Sequence, residues 1–333
     1  MSTIKTQVIG VGGYGDFVLS NLDLSAIANV SEVISVNTDA QIQETLPVSV
    51  KRINISETGK GTGANPDTAY SFAQARREQL IEMLRGTDIV FFVAGLGKGT
   101  GTGATTYLTE LTKELGIYSV VVLRTPEQAD GNSRINLANE YKARIVKNAD
   151  AYIDINNDTV LEHAIAQGVE DIEKAYSLGN QSVFDAVRGL VSIVNNVGSR
   201  NVDLEDFKAT VRGSFGIKTA THDAFSTDLN IYALNSQEAR TALSVTELPV
   251  QSSDSLKKTM AIRKAINESL NPECSQITGI LNNPNIEDVS VIYIVSGFEK
   301  TLSEIRREAG MKGLQNRYAI ANSSKIETAE IVA

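Results

Sequence analysis

Residues Gly95-Leu96-Gly97-Lys98-Gly99-Thr100-Gly101-Thr102-Gly103 contain five glycines in nine positions. An apolar run at 89–94 precedes them, and a helical pattern at 104–115 follows and stops at Gly116. Glycine lets backbone N–H groups turn toward an anion and approach it closely, and a helix N-terminus adds positive potential. So many glycines would weaken a purely structural helix or strand. We therefore interpret this segment as a phosphate-binding loop between a strand and a helix.

A second segment, Gly10-Val11-Gly12-Gly13-Tyr14-Gly15, also follows a strand pattern and precedes a helix. It fits the dinucleotide fingerprint G-x-G-x-x-G, but no acidic residue ends the next strand about 20 positions later. A tight strand–helix turn and a nicotinamide-dependent oxidoreductase therefore stay open as alternatives for this loop. The Walker pattern is absent, because Lys98 is followed by Gly99 and not by Ser or Thr. Two such loops at one sheet edge predict a polyphosphate held between two helix N-termini.

The composition narrows the class of protein. A chain of 333 residues, 42% hydrophobic and 21% charged, is typical of a globular protein with two domains. The longest apolar run, about six residues at 89–94, is far shorter than the roughly 20 of a membrane helix, and the first residues leave no room for a signal peptide. We therefore expect a cytoplasmic protein without membrane insertion.

The net charge and the scarcity of cysteine and histidine argue against nucleic-acid-binding proteins and against proteins with cysteine or histidine metal sites. The net charge of −9 argues against direct binding to nucleic acid, which would need a basic face. One cysteine, Cys274, excludes a cysteine-based zinc cluster, and two histidines make a histidine-rich metal site improbable. We predict no protein-held metal.

Strand and helix patterns alternate through the first half, which is typical of an α/β parallel sheet. The predicted strands lie at 7–11, 33–36, 89–94, 118–123 and 152–155. A helix is predicted from Asn65, as cap, to Leu84. A long central helix is predicted at 169–197, followed by strands at 229–234 and 289–295, a helix at 256–270 and a helical pattern at 302–310. We divide the chain into a nucleotide-binding domain (1–168), the central helix and its connecting loop (169–200), a second, smaller α/β domain (201–300), and a C-terminal helix with a short tail (301–333).

Residues 97–103 resemble the tubulin signature G-G-G-T-G-[ST]-G, with Lys98 at a glycine position. IGVGG at 9–13, NTDAQ at 37–41, GANP at 63–66 and NVD at 201–203 occur in the same family's order and spacing. The chain thus resembles the FtsZ/tubulin family of filament-forming GTPases, and it is nearer FtsZ than eukaryotic tubulin. The resemblance implies a parallel-sheet GTP-binding domain, a long central helix and a second α/β domain. It also implies GTP or GDP as ligand, with Mg²⁺ held through phosphates and waters.

The same resemblance implies the binding residues. Those expected on the phosphates are Gly12, Gly13, Gly15, Gly97, Lys98, Gly99, Thr100 and Gly101, with Ala64 and Asn65 at the terminal phosphate. Asp16 is also expected to bind the nucleotide. Asp130 and Arg134 are expected near the ribose and phosphates, although surface charges are the alternative. Asn157 and Asn180 are expected to read guanine. Tyr176 lies four residues before Asn180, so both share one helix face, where the ring could stack on the base or be a core aromatic.

For catalysis, the resemblance implies Asn201, Asp203 and Asp206, carried into the pocket of the neighbouring subunit of a head-to-tail filament. There the carboxylates would position and polarise the attacking water. In isolation these residues form an acidic helix start with Asp203 as its cap.

Two positions depart from FtsZ: Phe17 replaces an asparagine and Gln181 replaces an aspartate. A helical pattern at 302–310 in place of a long linker is similar to phage and plasmid relatives of TubZ type. We therefore expect plasmid or phage DNA positioning through an adaptor that links the filament to DNA or membrane. A cell-division scaffold and a non-polymerising GTP-binding regulator are the alternatives.

Overall fold

The computed structural model describes residues 4–27, 29–196, 199–250 and 254–298. The predicted helical pattern at 302–310, the tail beyond it and the predicted last residue of the central helix, Val197, lie outside the described residues.

Six parallel strands form the first part of a ten-stranded sheet. They are β1 (Thr6–Val11), β2 (Glu32–Asn37), β3 (Lys51–Asn54), β4 (Ile89–Gly95), β5 (Tyr118–Thr125) and β6 (Ala151–Asn156). Their order is β3-β2-β1-β4-β5-β6, so β1 and β4 are neighbours at the point where the strand order reverses. Both glycine loops follow these two strands and meet at that switch point. The five strands predicted from the sequence are confirmed; β3 was missed because it is four residues long and starts with two charged ones.

The helices lie on both faces of this sheet and continue into the second half. They are α1 (Gly12–Asn21), α2 (Ala40–Glu44), α3 (Pro66–Ala75), α4 (Arg77–Leu84), α5 (Thr100–Leu115), α6 (Asn132–Asn148), α7 (Asn157–Ala166), α8 (Ile172–Asn195), α9 (Leu204–Thr210) and α10 (Ser255–Ser269). Among the described residues, none of the helices has the length and apolar character needed to cross a membrane.

Helix boundaries refine the predictions. Asn65 caps α3 as expected, because its Oδ1 accepts from the N–H of Thr68 at 3.1 Å. The single helix predicted up to Leu84 is wrong, because Arg76, at φ −99° and ψ 18°, separates α3 from α4. Helix α5 begins at Thr100, inside the glycine loop and four residues before the predicted start.

Four strands form the second part of the sheet: β7 (Gly213–Thr221), β8 (Thr241–Leu248), β9 (Ser275–Asn282) and β10 (Ser290–Ser296). Their order is β7-β10-β8-β9, with only the β8–β9 pair parallel. Strand β7 joins the first part through two residue pairs with β6. The strand predicted at 289–295 is confirmed as β10. The strand predicted at 229–234 is wrong: it contains a 3₁₀ turn, and Ala233 adopts a left-handed φ of 54°.

Helix α8 packs against both parts of the sheet. Its 24 residues extend for about 36 Å. Val183, Val187 and Leu190 are buried in one core cluster with Val8 and Phe91 of the first part and with residues of β8 and β10. A second core cluster fills the opposite face of the first part. One rigid helix therefore connects the two halves, while the domain boundaries drawn above stay a prediction.

The contact between α3 and α5 depends on a glycine. A Cβ on Gly103 would lie 1.9 Å from the backbone oxygen of Pro66. The face of α5 also carries buried threonines, whose hydroxyls mostly donate to carbonyls one turn earlier in the helix. The two helices can therefore approach closely without leaving most of these hydroxyls unbonded.

We expect Gly103→Ala to lower the free energy of unfolding by about 1–3 kcal/mol, the usual cost of overpacking, because the atom in the way is backbone. Chemical denaturation without nucleotide measures this. Gly13→Ala is the matched control, since a Cβ there meets no atom within 4 Å. Equal stability of the Gly103 variant and the wild type would contradict this view of the α3–α5 contact.

Candidate functional site

A cavity of about 650 Å³ opens at the carboxyl edge of β1, β4 and β5. Its walls come from both glycine loops, the segment before α3, the loop after β5, the first residue of α7 and one face of α8. Helices α1 and α5 both begin at this cavity, so their N-termini bring two sets of unpaired N–H groups to it. The two helix N-termini therefore add positive potential to that of the lining cations Lys98, Arg124 and Arg134.

The two glycine loops touch each other. Gly12 has a φ of 70°, and a Cβ there would lie 2.6 Å from the N of Gly101. Gly15 allows α1 to approach β1, since a Cβ there would lie 2.5 Å from the carbonyl carbon of Gly10. Gly97 adopts a φ of 90° and donates its N–H to Thr102 Oγ1 at 3.0 Å. Gly12, Gly15 and Gly97 therefore allow the close packing of the loops without lining the cavity themselves.

Of the expected phosphate-binding residues, Gly13, Ala64, Lys98, Gly99, Thr100 and Gly101 line the cavity. Gly12, Gly15, Gly97 and Asn65 do not. The side chain of Asn65 caps α3, so only its backbone lies close to the loop, where a Cβ on Gly99 would be 3.1 Å from the N of Asn65. Ala64 has a left-handed φ of 63°, which turns residues 61–64 along the cavity.

Asp16 does not line the cavity, so the nucleotide contact expected for it stays a prediction. Its side chain is 1% exposed and accepts from Asn37 Nδ2 at 2.6 Å. Asn37 Oδ1 in turn accepts from the N–H groups of Thr38 and Asp39 at 2.7 and 3.2 Å. The hydroxyls of Thr38 and Thr100 are 2.6 Å apart. Asp16 therefore holds the turn after β2 against the second glycine loop.

Asp130 and Arg134 form an ion pair, and only Arg134 lines the cavity. Arg134 packs on the second glycine loop, since a Cβ on Gly97 would lie 2.8 Å from its Cγ. Its Nε is buried without a partner. Asp130 thus orients a cation whose guanidinium still has unused donors.

The opposite end of the cavity carries the residues expected to recognise a base. Tyr176, Asn180 and Asn157 all line it, so Tyr176 is not a core aromatic. Asn157 Oδ1 is buried and has no partner, which leaves a free acceptor at this wall. Asn180 Oδ1 accepts from the hydroxyl of Tyr14 at 3.1 Å. Burial raises the pKa of Tyr14 to about 12, so it stays a donor at neutral pH.

Sequence reasoning missed Tyr14, Glu127 and Arg124. Arg124 is the next-to-last residue of β5 and is 7% exposed, and burial lowers the pKa of its guanidinium. Its Nη1 has no hydrogen-bond partner, and it lies against Gly179 of α8, where a Cβ would be 1.8 Å away. A charged residue near the end of an otherwise apolar parallel strand is the signal that could have revealed it.

Only one of the two departures from FtsZ, Phe17, lies at this end of the cavity. Phe17 is 42% exposed, lines the cavity and stacks on Tyr14, with ring centroids 5.9 Å apart. Gln181 does not line the cavity, and its amide donates to Asp185 at 3.1 Å. An aromatic rim therefore stands where FtsZ is expected to have an amide.

The residues expected to act in catalysis lie outside this cavity. Asn201, Asp203 and Asp206 are not among its lining residues. Asp203 caps α9, since its Oδ1 accepts from the N–H of Asp206 at 2.7 Å. The cap predicted from the sequence is confirmed, and these carboxylates do not complete the cavity of their own chain.

This chain resembles known proteins in its amino-acid sequence. The GTPase domain of the tubulin/FtsZ family matches residues 5–164, which hold both glycine loops. The cell division protein FtsZ of Pseudomonas putida is 35% identical over 213 residues, 63% of this chain and 52% of that protein. The FtsZ of Aquifex aeolicus is 36% identical over 210 residues, 62% and 56% of the two chains. Residues 5–164 of this chain belong to the tubulin/FtsZ family.

Solved structures of this family agree in fold. An empty FtsZ dimer from M. jannaschii has a TM-score of 0.77 at 25% identity and covers 89% of each chain. A GTPγS-form TubZ protofilament from Bacillus thuringiensis serovar israelensis has a TM-score of 0.64 at 16% identity, a likeness in fold alone, over 98% of this chain and 95% of that one. The chain spans about half the length of the curated relatives it matches.

Asp16→Asn tests the buried carboxyl. Because burial raises the folded-state pKa of Asp16, its contribution to stability is present below the unfolded pKa of about 3.9 and is lost as pH rises through the folded pKa. The amide keeps an acceptor for Asn37 and does not titrate. We therefore expect the variant to gain stability relative to the wild type across this window, as measured by urea denaturation at several pH values. A difference independent of pH would contradict the role of burial.

Proposed function

We propose that this protein binds and hydrolyses GTP and polymerises head-to-tail into filaments, with each active site completed by the neighbouring subunit. One observation carries the proposal: the cavity holds groups for a base and for phosphates, whereas the expected water-positioning carboxylates lie outside it. A monomer would then bind GTP but hydrolyse it slowly. The neighbour would supply Asp203, Asp206 and Asn201.

Guanine recognition is supported by the polar groups at the base end. Asn157 offers a buried acceptor without a partner, and guanine presents two adjacent N–H donors that adenine lacks. Asn180 keeps amide donors for guanine's acceptors while its oxygen accepts from Tyr14. The ring of Tyr176 would stack on the base.

Phosphate binding is supported by the N-termini of α1 and α5, the backbone of residues 97–101, and the cations Lys98 and Arg134. Mg²⁺ would be held mainly by phosphate oxygens and water; the hydroxyls of Thr38 and Thr100 at the cavity wall are oxygen donors that fit it. When bound, the ion neutralises phosphate charge.

The cellular process is a separate proposal. The relatives that are 35–36% identical to this chain over 210–213 aligned residues are cell division proteins, whereas TubZ shares the fold alone. This favours a division scaffold over the plasmid or phage DNA positioning expected from the sequence. The net charge of −9 supports an indirect link to DNA or membrane, through an adaptor in the cytoplasm. Fluorescent fusions that form midcell rings would support division, and foci that follow plasmid DNA would contradict it.

We expect GTP, and not ATP, to drive assembly, because an unmatched buried polar group costs about 1–3 kcal/mol. Sedimentation and light scattering with each nucleotide measure this. Asn157→Ala should reduce the preference for GTP over ATP, because it removes the buried acceptor Asn157 Oδ1. Equal assembly with ATP and GTP would contradict the assignment of the base end, and nucleotide binding without assembly would favour the non-polymerising regulator.

Asp203→Asn separates catalysis from capping, since asparagine is as good a cap as aspartate. If the carboxylate acts in the neighbour's site, the variant should bind GTP and polymerise normally, while hydrolysis per filament contact falls about 10²-fold or more. Its filaments should be long-lived. Asp206→Ala should behave likewise.

Glu205→Gln is the matched control, because Glu205 lies between the two aspartates and its side chain is 81% exposed. We expect it to hydrolyse GTP like the wild type. Normal turnover of both aspartate variants at equal polymer mass would exclude the catalytic assignment and leave GTP binding untouched.

A further inference from the structure

The Tyr176 ring is held by a carboxylate from the segment that follows β5, a segment whose Pro126 lines the cavity. Its hydroxyl donates to both oxygens of Glu127, at 2.8 and 2.9 Å. Glu127 belongs to the segment 126–131 between β5 and α6, whereas Tyr176 lies on α8. This bond raises the pKa of the Tyr176 hydroxyl, which therefore stays protonated and donating. A hydrogen bond to an ionised acceptor is stronger than one between neutral groups.

The same segment reaches the phosphate loop. The N–H of Glu127 donates to Asp130 Oδ2 at 3.2 Å, and Asp130 Oδ1 accepts from Arg134. Arg134 lines the cavity and packs against Gly97. A continuous series of polar contacts therefore runs from the stacking ring to the cation at the phosphate end.

The segment 126–131 is also hydrogen-bonded to residues at the end of β6 and the start of α7. Asn156 Nδ2 donates to the carbonyl of Pro126 at 3.0 Å, and the N–H of Gln128 donates to Asp158 at 3.0 and 3.1 Å. These bonds fix the segment to the start of α7. Glu127 is then the side chain that extends from this fixed segment to α8.

We propose that Glu127 is a positioning residue that gates nucleotide exchange. Its bond to Tyr176 ties the segment 126–131 to α8, and a nucleotide enters or leaves when that bond opens. The inference rests on the proposed nucleotide site. On this proposal the bond holds in the free and in the nucleotide-bound protein, and it opens only while a nucleotide passes. It therefore slows association and dissociation alike and changes the equilibrium affinity little.

Stopped-flow fluorescence with mant-labelled GDP tests this on the full chain. Tyr176→Phe keeps the ring and removes the hydroxyl, so we expect both rate constants to rise about tenfold while Kd stays within about threefold. Glu127→Gln leaves a weaker, neutral acceptor and should accelerate exchange less. The double variant should match Tyr176→Phe, because the amide then has no hydroxyl to accept from. Tyr176→Ala should instead raise Kd about tenfold or more through lost stacking.

Tyr70→Phe is the matched control. Tyr70 also donates to a carboxylate, Glu110 at 2.6 Å, but that bond joins α3 to α5 and neither residue lines the cavity. Exchange in this variant should equal that of the wild type. Unchanged exchange rates in Tyr176→Phe, or a raised Kd with unchanged association, would overturn the inference. Failure of the wild type to bind mant-GDP would instead overturn the proposed function.

Discussion

The close approach of two glycine loops underlies the rest of this structure. A side chain at Gly12 would collide with the backbone of Gly101, so α1 and α5 can both begin at one point of the sheet edge only because neither loop carries a Cβ there. That point is where the strand order reverses between β1 and β4. The N-termini of α1 and α5 add positive potential to a cavity that is also lined by Lys98, Arg124 and Arg134. Asp16, buried behind the first loop, then holds the turn after β2 against the second.

Helix α8 combines two tasks. Near its start it presents Tyr176 and Asn180 to the cavity, and farther along it buries Val187 and Leu190 in a core shared with the second part of the sheet. Gly179 allows the buried guanidinium of Arg124 to lie against it. Because helices are stiff and cores are close-packed, the residues proposed to contact the base and the second part of the sheet belong to one mechanical unit.

Local chemistry explains which features could be predicted from the sequence. The strand at 89–94, the cap at Asn65, the stop at Gly116 and the glycine loops each depend on a few adjacent residues. Predictions were wrong where contacts with residues distant in sequence determine the local structure. The strand predicted at 229–234 instead contains a 3₁₀ turn at Asn230–Tyr232, where the hydroxyl of Tyr232 donates to the carbonyl of Ile217 in β7. The roles of Asp16 and Glu127 depend on partners 21 and 49 residues away, which no local pattern reveals.

If the neighbour's carboxylates complete each site, hydrolysis belongs to the contact between subunits and not to the single chain. The most direct measurement is the GTP hydrolysis rate per chain as a function of protein concentration. We predict almost no turnover below a critical concentration and, above it, a total rate that rises in proportion to the polymer formed. Constant turnover per chain at every concentration, including those at which all protein is monomeric, would contradict an active site shared between subunits.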